Sequence, residues 1–206
     1  AELIIAFLDA WHSAAFIEPV TGLANRERLI RDIQHLATQK DKSLRRLVLI
    51  DCIDMSRAFE LSRSLGMAAL ESLLKDVATL LLLRLRPTNG CQFYTIATGR
   101  FAILTQADSP VSATWVAERL GAISADMGDG LTMALTTYTE QTDFIASDAP
   151  PYEVLRRAVN ALEYISGQTL SQVRFDEISD ISCATDVTLM SDLAEALRHN
   201  HGLFLV

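Results

Sequence analysis

Cysteine is scarce in this chain: Cys52, Cys91 and Cys183 are the three among 206 residues. Odd in number, far apart and set in apolar surroundings, they form neither a disulfide framework nor a zinc-binding spacing. They read as reduced thiols of a cytoplasmic domain. Basic residues are also in deficit, 18 Lys and Arg against 26 Asp and Glu, for a net charge of -8. A nucleic-acid backbone needs a concentrated basic face, so nonspecific binding of nucleic acid is excluded. Small anions are not, because a local pair of basic side chains can hold one. No apolar run approaches the ~20 residues of a membrane span. The longest, residues 77–85, contains Arg84. No secretory signal, internal repeat or low-complexity segment is visible, and direct membrane contact by this chain is not expected. His12, His35, His199 and His201 share no spacing with acids or cysteines that would hold a metal.

What the chain has is apolar substance, 50% of its residues against 21% charged, enough for one α/β domain with a core and some flanking sequence. Residues 1–17 carry a helical apolar stripe through residues 3, 4, 5, 7, 8, 11 and 16. This lead-in helix either carries a signal from an upstream module or packs on its own domain. Glu18-Pro19 ends it. Further periodicity predicts a helix over 27–40 and a buried strand over 47–53, with Asp54 at the strand end where open α/β sheets place ligands. A helix over 67–86 follows, then a turn at 87–90 and a hairpin over 91–104 that reverses at Ala97-Thr98-Gly99-Arg100. Beyond it come a helix over 111–127, a strand over 131–138, a polar loop ending in Pro150-Pro151, a helix over 153–165 and a short strand over 172–175. Residues 177–191 read as a linker, and 192–206 as a helix, a turn and the start of a strand. The order implies a mixed sheet covered by helices.

The hairpin letters Ala97-Thr98-Gly99-Arg100-Phe101, with Pro19-Val20-Thr21-Gly22-Leu23-Ala24-Asn25-Arg26 upstream, resemble the signature segments of GGDEF (diguanylate cyclase) domains across residues 18–176. The resemblance implies an α+β fold with a central, mainly antiparallel sheet wrapped by helices, similar to nucleotide cyclase and polymerase palm domains. It also implies that Asn25 and Arg26 bond the loop and helix start. In the family the turn reads Gly-Gly-Asp/Glu-Glu-Phe, and two carboxylates hold metal ions against GTP. Carried onto this chain, the first acid falls on Asp54, although a lone acid at a strand end also serves as a helix cap. The second falls on Gly99, which has no side chain, and the next acid of the turn is Arg100. That arginine is either an exposed turn residue or a new anion-binding one. Thr98 stands where a glycine admits the phosphates. The guanine-reading positions become Ser62 and Glu71, the phosphate anchors Ser166 and Leu170, and the product-inhibition motif Thr88-Asn89-Gly90-Cys91. Asp54, Ser62 and Glu71 are thus a vestigial nucleotide site, without catalytic or metal-binding residues.

Residues 192–206 resemble the opening of an EAL domain, a cyclic di-GMP phosphodiesterase that often follows a GGDEF domain. The combined resemblance implies a piece of a longer bacterial signalling protein. In it a degenerate cyclase domain, needing no cofactor and able to form a homodimer, sits between an upstream sensor and an EAL partner. The alternative is a sensor in which Asp54, Glu71 and Arg100 bind GTP with magnesium and activate the EAL neighbour. A third option is dimerisation through the N-terminal helix.

Overall fold

Leu47, Val48, Leu49 and Ile50 are all fully buried at the middle of the molecule. They belong to strand β2 (Leu44–Asp51), flanked on both sides by antiparallel neighbours, β4 (Arg100–Gln106) and β7 (Tyr138–Ile145). Successive side chains of a strand point to opposite faces, so one continuous apolar run feeds two cores. Val48 and Ile50 pack into the larger core, Leu47 and Leu49 into the smaller.

The structure, a computed structural model, describes residues 15–39, 42–53, 55–85, 90–167 and 172–174. The linker and the EAL-like segment lie outside the described residues. So does the predicted N-terminal helix, except for Ala15–Ile17, which form a turn and an isolated bridge from Ile17 to Ala24. The main sheet has six strands in the order β1-β3-β4-β2-β7-β8. Here β1 is Ala24–Asn25, β3 Gln92–Ala97 and β8 Gln172–Arg174. Its two outer pairings, β1 with β3 and β7 with β8, are parallel, and the three central ones are antiparallel.

Five helices cover the sheet among the described residues: α1 (Arg26–Thr38), α2 (Met55–Leu65), α3 (Met67–Leu85), α4 (Ala113–Leu120) and α5 (Pro151–Gly167). Helix α3 buries Leu70, Leu73, Leu74, Val77 and Leu81, the spacing of one helical face. With α2, α4 and a separate ribbon it builds the larger core. Helices α1 and α5 close the smaller one through Leu29, Ile33, Leu155 and Leu162.

Three expectations need correction. The helix predicted over 111–127 stops at Leu120. Ser112 caps its start by accepting from the Trp115 N–H, and Gly121 at φ 50° ends it. Arg84 donates to the carbonyls of Leu120 and Ala122, fastening that end to α3. The following residues form the two-stranded ribbon β5 (Ile123–Gly128) and β6 (Leu131–Leu135). The strand predicted over 131–138 is therefore two strands, with Tyr138 opening β7. The supposed polar loop before Pro150 is mostly β7 itself, whose Thr139, Glu140, Gln141 and Thr142 are polar yet buried. Gln141 accepts from the Ala113 N–H, Thr139 donates to the Ala113 carbonyl, and Thr142 donates to Glu140. These bonds let a polar strand occupy the sheet interior. Helix α2 also forms over a segment whose apolar periodicity does not announce it.

Candidate functional site

The register of the sheet places one carboxylate at the hairpin turn. Strand β2 ends on Asp51, which lies opposite Arg100 of β4 and Tyr138 of β7. Ala97 pairs with Arg100, so Thr98 and Gly99 make the reversal. Gly99 sits at φ 72°, and a Cβ there would lie 2.6 Å from both the Cβ and the carbonyl oxygen of Ile53. The Cys52 N–H donates to the Gly99 carbonyl at 2.9 Å. The turn is thus pressed onto the segment that follows β2, and both the backbone angle and the lack of space call for glycine.

Arg100 is largely buried, with 17% of its side chain exposed. Its Nη2 donates to Asp51 Oδ2 at 2.9 Å, and its Nη1 to Glu163 Oε1 on α5 at 3.2 Å. Burial opposes the guanidinium charge, but the Asp51 carboxylate and then Glu163 outweigh it, so the pKa is raised and the cation is fixed. Arg100 is therefore neither an exposed turn residue nor a free anion receptor: its partners are two carboxylates of its own chain. The surroundings of Asp51 do not suit a divalent cation, because the charged group against it is already a guanidinium. Among the described residues no cluster of three or more His, Cys, Asp or Glu has metal-binding geometry. The Cys52 thiol is buried and pushed up by desolvation and then by Asp51, which removes it as a nucleophile.

On one side of the turn lies a cleft of about 380 Å³ between the segment before α1, the first turns of α3 and the end of β3. Leu70 and Leu74 supply apolar wall, and Thr98 and Gly99 form the turn side. Glu71 stands at the cleft, exposed and without a hydrogen-bond partner among the described residues. Ser62 does not line it; its hydroxyl donates to the Phe59 carbonyl of its own helix at 2.8 Å. Of the predicted vestigial residues, the cleft takes Glu71 and leaves out Ser62. Asp54 and Leu170 lie outside the described residues, as do Thr88 and Asn89, while Ser166 is half-buried on α5.

The wall opposite α3 is built by Glu18, which accepts from the N–H groups of Val20 and Thr21 and from the Thr21 hydroxyl. Burial raises its pKa, but these bonds outweigh it and the net shift is downward. Thr21 in turn meets Thr95 of β3, oxygen to oxygen, at 2.8 Å. Asn25 caps α1 by accepting from the Arg28 N–H and ties the loop by donating to the Ala15 carbonyl. Arg26 does not share that role: it is exposed and has no side-chain partner among the described residues.

Sequence reasoning missed Asp51 and Glu163. The apolar run continues through Ile53, which puts the expected strand end at Asp54. Pairing the run against the hairpin, residue by residue from the turn, would have put Asp51 across from Arg100.

No protein-family model matches the sequence, and no curated protein does. Solved structures do. The GGDEF domain of FimX from Pseudomonas aeruginosa is 18% identical, with a TM-score of 0.62 over 77% of this chain and 98% of that one. The coiled coil and GGDEF domain of DgcB from Caulobacter crescentus, in complex with c-di-GMP, is 13% identical at a TM-score of 0.61, covering 84% and 92%. The S helix-GGDEF-EAL structure of Vibrio cholerae LapD, bound to c-di-GMP, is 15% identical at 0.63 and covers 97% of this chain and 46% of that one. Together with the central antiparallel sheet, the helices on both of its faces and the hairpin at the end of β2, these likenesses show that the chain has the fold of GGDEF domains.

Proposed function

We propose that this chain is a catalytically inactive GGDEF domain that transmits a signal to an adjacent EAL phosphodiesterase domain in cyclic di-GMP signalling. The observation that carries the reading is the ion pair between Arg100 and Asp51. A cyclase of this fold depends on carboxylates open to metal ions that hold the GTP phosphates. Here Asp51, which ends β2 three residues before the Asp54 that the resemblance assigns to the metal, is already neutralised from within the chain. A cation placed ~4 Å from Arg100 meets a repulsion of order 1–4 kcal/mol per unit charge. Gly99 contributes no ligand atom, and its contact with Ile53 leaves no room for one.

The reading of residues 192–206 as the start of an EAL domain is supported by the LapD match, which covers 97% of this chain in a protein carrying both domains. The signal would then pass through helices and domain contacts, between an upstream sensor and the EAL partner in the cytoplasm. The test is incubation of the purified chain with GTP and magnesium. No cyclic di-GMP or pyrophosphate is expected, and conversion of GTP to cyclic di-GMP by the parent chain, lost in Asp51→Asn, would overturn the proposal.

The cleft beside Glu71 favours a second reading, a GTP-binding allosteric domain that activates its EAL neighbour. Ligand binding to the native state stabilises it by RT ln(1 + [L]/Kd). On this second reading GTP with magnesium raises the melting temperature, and Glu71→Ala abolishes the rise. On the first reading neither ligand moves it.

A further inference from the structure

The lining of the cleft beside Glu71 has the wrong charge for a phosphate. Glu18, Glu27 and Glu71 bring three carboxylates to its wall, and Arg26 brings one guanidinium. No lysine lines it among the described residues, and Arg100 lines the far side of the turn with Asp51 and Glu163 against it. A nucleoside triphosphate is held by metal ions and by several cationic side chains. The start of α1 would attract an anion, but the Asn25 side chain already accepts from the Arg28 N–H and Glu27 stands in the first turn. The net charge of -8 adds to this local field rather than opposing it.

The three carboxylates differ in what they can still bind. Glu18 accepts from the Val20 and Thr21 N–H groups and from the Thr21 hydroxyl. Glu27 answers the dipole of its own helix. Glu71 is exposed and without a hydrogen-bond partner among the described residues, so both of its oxygens are open to a donor. On a helix, residues three and four apart are neighbours, which sets Glu71 beside Met67 and Leu74. Leu70 and Leu74 are buried, whereas Met67 is 59% exposed. A bare carboxylate thus stands at the edge of an apolar strip, with a polarizable thioether at the mouth of the cleft. The volume of about 380 Å³ fits a small molecule.

We propose that this cleft binds a small organic cation with an aromatic body. Its N–H donors pair with Glu71, and its ring packs on Leu70, Leu74 and the Met67 sulfur. The inference deepens the reading of the domain as an inactive cyclase and rests on it: the cleft keeps its shape and takes a ligand opposite in charge to GTP. It makes the domain a receptor for that cation, and it speaks against the GTP-binding alternative.

The probe is benzamidine, a planar amidinium on a ring, titrated calorimetrically into the whole chain without GTP or magnesium. Benzamide and benzoate serve as its neutral and anionic counterparts of similar shape. Submillimolar binding of benzamidine that weakens as salt is added is expected, with benzamide weaker and benzoate silent. Glu71→Gln, at an exposed position, should weaken benzamidine about three- to fivefold, the effect of losing an exposed charge-assisted pair. Glu163→Gln, on the far side of the turn, should leave it unchanged. Absence of heat at millimolar benzamidine overturns the proposal, as does unchanged affinity in Glu71→Gln. Equal affinity for benzamide overturns the cationic class and leaves a plain apolar pocket. Failure of the inactive reading shows instead as cyclic di-GMP made from GTP, a separate measurement.

Discussion

Replacing Arg100 with methionine keeps an apolar stem in the same space and removes the charge that holds Asp51. Asp51 is only 5% exposed in its side chain, and Arg100 17%. Removing one partner of a buried ion pair costs about 3–5 kcal/mol, because the other charge is left in a poor solvent. One feature of the site reduces that figure: Glu163, the second partner of Arg100, is 60% exposed and contributes little. A loss of about 2–4 kcal/mol follows, which for a domain of this size is a fall of about 5–15 °C in Tm. Urea unfolding at pH 7 measures it, with an unchanged m-value as the check that the denatured state is the same. A variant within about 0.5 kcal/mol of the parent at pH 7, the usual range of a plain surface change, would refute the reasoning.

Gly99→Ala should destabilise by about 2–4 kcal/mol, combining the positive φ with the overlap onto Ile53, and circular dichroism melts will show it. Gly99→Asp should be worse still and should not restore magnesium-dependent activity, because Arg100 keeps Asp51. Asn25→Ala removes the cap of α1 and should cost about 1 kcal/mol in urea unfolding. Glu153 is held down to about 2 by Arg156 and Arg157. Its contribution is therefore present above the ordinary carboxylate value of 4.5 and is lost as the pH falls toward 2, so the stability difference between the parent and Glu153→Gln should fade over that window.

Where the sequence spoke through periodicity, the fold was legible. The central strand, α1, α3, the hairpin and α5 each announce themselves by apolar spacing or by turn residues. β7 was not legible, because Thr139, Glu140, Gln141 and Thr142 look like a loop until the hydrogen bonds that satisfy them are seen. The α4–ribbon boundary was hidden for a related reason: Gly121 and the distant Arg84 decide it, and neither stands out in a local window. At the site, the reversal at Thr98 and Gly99 is legible from the turn residues, and Glu71 lines the cleft beside it. The pairing of Arg100 with Asp51 is not legible, since it depends on the register between strands about fifty residues apart in the chain. Apolar patterning fixes which face a strand buries, but which residue ends opposite the turn is a tertiary fact.

The most direct test of the central claim is calorimetric titration of the chain with GTP, with and without magnesium, beside Arg100→Met. An Asp51 already neutralised by Arg100 predicts no magnesium-dependent heat at millimolar GTP in the parent chain. Micromolar GTP binding that requires magnesium, with Arg100 in place, would contradict it.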